Sequence, residues 1–236
     1  RGIPLGLQFS VLAIGIIVMQ GAVVRFDIAE NGIMVPGTPA QNGFSAANKL
    51  INFLMALYNG LASAILGFNA QNYGKSDYRR IRQGTRQSLI IMLIMYAFCL
   101  TAGLLLSIGG AYQHIFMSED KISEASVRFG NTYLYVDFIL YFILGFLIVT
   151  RSAVQGITKV GYVLGAGVAE LVSRVLICAY LPALVNGGAT DASASLASFA
   201  AVCFGDPGAW LLASLVLLVP TVKYIFRMQY KKEVSG

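Results

Sequence analysis

The chain is 236 residues long, 57% hydrophobic and only 12% charged, with a formal net charge of +6. Soluble domains carry about 25% charged residues, so this composition excludes an ordinary soluble domain and reads as a membrane protein. The positive balance fits basic flanks of membrane spans, and no role with nucleic acid is expected.

Six segments are long enough to cross a hydrocarbon core of ~30 Å, which takes about 20 residues. They run over 3–24, 43–67, 87–109, 127–150, 161–185 and 208–228, which predicts an all-α protein with six transmembrane helices. The first begins almost at Arg1, without an initiator Met. Pro4 and Gln8 interrupt the apolar core that a signal peptide would keep, so the chain is read as starting partway through a longer protein. Pro36-Gly37 and Pro39 precede the second span, Gly109-Gly110 close the third, Gly187-Gly188 close the fifth and Asp206-Pro207 open the sixth. The Ala- and Ser-rich stretch 189–201 is expected to form a loop or a short outer helix.

Charge gives the sidedness. The connection between the second and third spans holds Lys75, Arg79, Arg80, Arg82 and Arg86. A short basic connection of this kind belongs on the cytoplasmic side. Arg1, Arg151, Lys159, Lys223, Arg227, Lys231 and Lys232 fall on the same side, which gathers twelve of the 17 basic residues there. Asp27, Glu30, Glu119, Asp120, Glu124, Asp191 and Asp206 fall on the other. Both ends of the segment are therefore expected in the cytoplasm. Gln71-x-x-x-Lys75-x-x-Tyr78 recurs as Gln155-x-x-x-Lys159-x-x-Tyr162, an echo too short to establish a repeat.

The three cysteines, Cys99, Cys178 and Cys203, are read as small apolar packing residues. With one histidine, His114, placed in an outer loop, no metal site is expected. No Gly-x-Ser-x-Gly or His-Glu-x-x-His occurs, so no hydrolytic centre and no enzyme activity are expected.

Polar residues inside spans mark bundle interiors or cavities. The second span carries Ser45, Asn48, Asn52, Asn59 and Ser63 at steps of three, four and seven, which puts them on one helix face. That stripe reads equally as interhelical hydrogen bonding or as a wet cavity wall. In the fourth span Tyr133, Asp137 and Tyr141 share a face at i, i+4 and i+8. Asp137 precedes Arg151 by fourteen residues, or ~21 Å of helix, which places it near mid-membrane as a candidate for binding a cation or substrate. In the fifth span Glu170 and Arg174, at i and i+4 in the favourable order, are expected to neutralise each other as a structural ion pair.

Several separated stretches resemble one family. Gly2-x-Pro4-x-x-x-Gln8, Ala46-Ala47-Asn48-Lys49-Leu50, the Gln71–Arg82 connection, Arg151-x-x-x-Gln155-Gly156, Gly165-x-Gly167-x-x-Glu170-Leu171-x-x-Arg174 and Pro207-x-Ala209-Trp210 follow one another in order. They are similar to the C-terminal lobe of multidrug and toxic compound extrusion (MATE) transporters. The resemblance implies two six-helix lobes, twelve helices in all, of which this chain supplies the second, with the N-terminal lobe as its partner. It implies alternating access in a bacterial inner membrane and exchange of H⁺ or Na⁺ for organic cations or other amphiphiles, with no cofactor. Candidate binding residues are Asp137, Tyr133, Tyr141, Asn48, Asn52, Asn59 and Gln8. The first span holds no acid from Ile3 to Val24, and Asp137 lies about two turns before the position usual for the family's acid, so the two are not equated. A lipid-linked oligosaccharide flippase of the same superfamily and a non-transporting membrane assembly subunit are the alternatives.

Overall fold

The computed structural model describes the backbone of residues 2–227 and the side chains of residues 13–227. The apolar segments of the sequence are helices: α1 (Gly2–Val24), α2 (Pro39–Gly74), α3 (Tyr78–Ser107), α4 (Ala111–Phe116), α5 (Glu124–Gly156), α6 (Val160–Asn186), α7 (Leu196–Cys203) and α8 (Gly205–Pro220). An isolated bridge between Ile28 and Met34 is the only extended pairing among the described residues. Five helical units are long and apolar enough to cross a membrane, namely Pro39–Gly74, Tyr78–Phe116, Glu124–Gly156, Val160–Asn186 and Leu196–Phe226, and α1 is a sixth long helix. The protein is a multi-pass, all-α membrane protein.

The last unit corrects the expected start of the sixth span. α7 passes through Phe204 directly into α8, so the helical unit begins at Leu196 rather than 208. The Ala- and Ser-rich stretch, expected as a loop or a short outer helix, does hold a short helix, but its small residues gave no sign that this helix joins the sixth span. Yet Phe199, Val202 and Cys203 are fully buried, and they hold α7 in the bundle. Pro207 sits in the first turn of α8, where a missing N–H is tolerated. The consequence is large: Asp206 lies ten residues into this helical unit rather than ahead of it.

α5 is the hub, packed on α2, α3 and α8, while α6 packs chiefly on α8 and α1. Without a hydrophobic drive inside lipid, helices associate by close packing, and small residues let backbones approach. α2 and α5 meet in this way. Ala46 and Ala47 are wholly buried, and a Cβ on Gly130 would lie 2.8 Å from the Gly43 carbonyl oxygen.

Two linkers carry unusual backbone. α2 and α5 both end in a turn whose exit residue has positive φ, Ser76 at 58° and Thr158 at 62°. In each, that residue donates three residues back (Ser76 to Tyr73, Thr158 to Gln155). The next donates five back (Asp77 to Asn72, Lys159 to Val154). This is the Schellman arrangement, built without its usual glycine. The two turns superpose at an offset two residues short of the Gln-x-x-x-Lys-x-x-Tyr echo, so the echo in sequence is not the structural equivalence. At the other end, Asp27 is buried and caps α2 from outside it. Its Oδ1 accepts from Ala40 N and its Oδ2 from Gln41 N, each at 2.9 Å.

Candidate functional site

At the heart of the bundle, α5 contributes two polar groups, and α6 and α8 one each, to a single cluster. The Arg174 guanidinium binds Asp206 Oδ1 at 2.6 Å, and the Tyr133 hydroxyl donates to Asp206 Oδ2 at 2.7 Å. Asp206 is thus satisfied on both oxygens. One turn along α5 from Tyr133, Asp137 is 0% exposed; the Tyr133 hydroxyl lies near it but gives its proton to Asp206, and neither Asp137 oxygen makes a hydrogen bond of good geometry. Its charged neighbours are Asp206 and Arg174. The one guanidinium is thus paired with Asp206, while a second carboxylate stands close enough to feel both charges.

The geometry of the helices produces this meeting. Asp137 lies thirteen residues into α5, ~20 Å from that end at 1.5 Å per residue. Ordered charge at such depth requires a counter-charge or a ligand. Arg174 reaches Asp206 across the close α6–α8 contact, and Gly15 of α1 makes room for it. A Cβ on Gly15 would lie 2.6 Å from Arg174 Nη1, while one on Gly205 would lie 2.8 Å from Cys178 Sγ, so Gly205 serves the packing of α8 on α6.

The cluster faces a cavity of about 160 Å³ between α1, α2 and α5. Asn48 and Asn52 of α2 line it beside Tyr133, Asp137, Arg174 and Asp206, with Ile16, Met19, Phe44 and Trp210 as its apolar walls. Phe44 stacks on Tyr133 with ring centroids 4.5 Å apart. Towards the acidic end a second recess, about 370 Å³, continues along the same α1–α2 cleft past Gln20, Gln41 and Asn42. Asn48 and Phe44 line both.

The predicted residues thus divide. Asn48, Asn52, Tyr133 and Asp137 are brought to one cavity. Tyr141, although on the same face of α5, is fully buried beyond it. Its hydroxyl donates to Ile51 O at 3.2 Å, and its ring meets Tyr58, Phe138 and Trp210 edge-on. Asn59 lies two turns below Asn52, exposed, with its carbonyl accepting from Ser63. Gln8 lies outside the residues whose side chains are described.

The expected Glu170–Arg174 pair is replaced by two pairs between helices. Glu170 Oε1 takes Arg151 of α5 at 2.7 Å, and Arg174 takes Asp206 of α8. Neighbours at i and i+4 on one helix meet only if no better partner stands across the interface. Here each charge has one on an adjacent helix. Asp206 is the site residue that sequence reasoning missed. The signal was the run Leu196–Phe204, which holds no charge, so that reading it as helix would have put the following Asp inside the membrane.

A comparison with protein-family models matches residues 34–180 to the family described as MatE. The chain belongs to the MatE family. The match takes in α2, α3 and α5 whole and most of α6, including Asn48, Tyr133, Asp137 and Arg174. Members of this family are transporters, which agrees with the resemblance carried by the Gln71–Arg82 connection and the Arg151–Gly156 helix end. Searches of curated proteins and of solved structures return no match.

Proposed function

We propose that this MatE chain is one lobe of a cation-coupled antiporter, driven by H⁺ or Na⁺, that exports organic cations or other amphiphilic compounds by alternating access. The observation that carries this reading is Asp137, a wholly buried carboxylate with no ion-pair partner and no well-formed hydrogen bond, set beside an Arg174–Asp206 pair on the wall of a cavity. In the proposed cycle Asp137 accepts either the coupling cation or a cationic substrate, so the two compete and exchange follows. Tyr133 and Arg174 hold Asp206 in place beside it. Phe44 and Trp210 offer aromatic faces that suit an organic cation. A six-helix N-terminal lobe would close the open side of the cleft, and the whole would sit in a bacterial inner membrane with the basic helix ends in the cytoplasm.

The flippase alternative has less support. It calls for free cationic groups in the groove, whereas Arg174 and Arg151 are each held by a carboxylate. The experiment is Asp137→Asn in the full-length protein reconstituted into proteoliposomes, with imposed proton and sodium gradients. We expect normal insertion, transport reduced at least tenfold, and substrate binding that no longer depends on pH or Na⁺. Wild-type transport with unchanged ion dependence would reduce Asp137 to a structural residue.

A further inference from the structure

We propose that the basic end of the α6–α8 pair is a binding site for an anionic phospholipid. After Pro220, the last turn of the sixth span widens into a π-helical stretch over Thr221–Phe226. It brings Tyr224 beside the α5–α6 turn, where Lys159 Nζ stands 4.7 Å from the Tyr224 ring centroid and Lys223 Nζ stands 5.2 Å from it. The Tyr162 ring lies alongside at 6.1 Å. Two ammonium groups gathered on one ring repel each other, and neither has a carboxylate within ion-pair distance among the described residues. An anion bound between them removes that repulsion.

The surroundings say what kind of anion. Leu218, Val219 and Val222 form an apolar groove whose lip is Lys223 and Arg227. Leu211, Leu215, Leu218 and Val219 continue it along α8 as an exposed apolar stripe at helical spacing. A recess at Thr158–Tyr162 adjoins the same lysine and tyrosine pair from the α6 side. In a bilayer this stripe is covered by acyl chains, so the phosphates nearest the cations are those of lipid headgroups, not of soluble ions. A diacyl glycerophosphate uses both, with its phosphate at Lys159, Lys223 and Arg227 and a chain along α8. Basic pockets at helix ends facing an anionic leaflet bind lipid headgroups by this combination. The site lies at the opposite end of α8 from Asp206, so it is independent of the transport reading.

The test uses the purified full-length protein in neutral detergent and follows its thermal midpoint as lipid is added. Phosphatidylglycerol should raise the midpoint saturably, whereas phosphatidylcholine with the same chains and glycerol 3-phosphate should not. Lys159→Gln with Lys223→Gln should raise the half-saturating phosphatidylglycerol concentration by roughly 25-fold, about fivefold for each lysine. Lys159→Arg with Lys223→Arg should keep it near wild type, and Lys75→Gln with Arg79→Gln in the other basic turn should leave it unchanged. An equal response to glycerol 3-phosphate makes this a site for soluble anions and overturns the proposal. So does an equal response to phosphatidylcholine, or an equal loss in the Lys75/Arg79 control, which would show diffuse charge attraction rather than a site.

Discussion

At the scale of single residues, the polar core holds two matched ion pairs, in which each deletion leaves a stranded partner, beside the unpaired Asp137. Breaking one side of a buried pair costs about 3–5 kcal/mol, while replacing both sides by apolar groups of similar size is often neutral. Glu170→Gln is therefore expected to lower the folded yield by exposing Arg151 as an uncompensated charge, and Arg151→Met with Glu170→Leu should recover most of it. Arg174→Gln should carry its own cost, and Glu170→Gln combined with Arg174→Gln should come close to the sum, with only a small coupling left by the charge–charge interaction along α6, because the two residues form their ion pairs with different partners. Measuring these variants together with the single Arg174→Gln in a thermal or denaturant assay separates the pairing seen here from an i, i+4 pair. A coupling of more than about 1 kcal/mol between Glu170 and Arg174 would contradict the observed partners. Gly15 belongs to the same network although it carries no charge. Gly15→Ala sets a methyl against the Arg174 guanidinium, so it should disturb substrate binding while leaving α1 a helix, readable as a raised KM with little change in expression.

At the scale of elements, helix ends carry the clearest tests. Thr158 holds a left-handed conformation that costs a β-branched residue about 1 kcal/mol or more, and only the turn between α5 and α6 requires it. Thr158→Gly should raise stability by about 1 kcal/mol, checked by thermal unfolding in detergent, with transport unaltered. Asp27→Ala works in the opposite sense. It removes both acceptors from the first turn of α2, and loss of a cap costs about 0.5–2 kcal/mol. Much at this scale was legible in advance. Glycine pairs at 109–110 and 187–188 mark the ends of α3 and α6, and apolar length marks the spans. What was not legible follows from physics that sequence spacing does not encode. The stretch 189–201 read as a loop or a short outer helix because Ala and Ser are ambiguous; its helix α7 exists, but the burial of Phe199 and Cys203 puts it in the bundle instead of on the outer surface. Asp206 was then misplaced by the error in its helix. Spacing also put Tyr141 on the right face of α5, but it could not say that α2 and Trp210 close over that part of the face.

At the scale of the whole molecule, the structure gathers its basic turns at one end. Asn69 of α2 reaches both Thr85 of α3 and Ala153 of α5, and Lys159 meets Tyr224, so the turns at 75–77 and 157–159 lie together with the end of the sixth span. The linkers holding Glu30, Glu119 and Asp191 lie at the other end, where Ala192 N donates to Ile28 O and Gln113 Nε2 to Ser126 O. Asp191 is fixed there by Ser193, whose hydroxyl and backbone N–H hold its carboxyl below the usual carboxylate range. This polarity predicts the orientation in the membrane, since short basic connections stay in the cytoplasm. Single cysteines read it directly. The native Cys99, Cys178 and Cys203 are buried, so they should give a low background with an impermeant maleimide. In intact cells expressing the full-length protein, Ser76→Cys should label only after permeabilisation, whereas Asn31→Cys and Ser193→Cys, both exposed or half-exposed in the acidic linkers, should label at once. Immediate labelling of Ser76→Cys with protection of the other two would invert the orientation, and with it the direction of the proposed export.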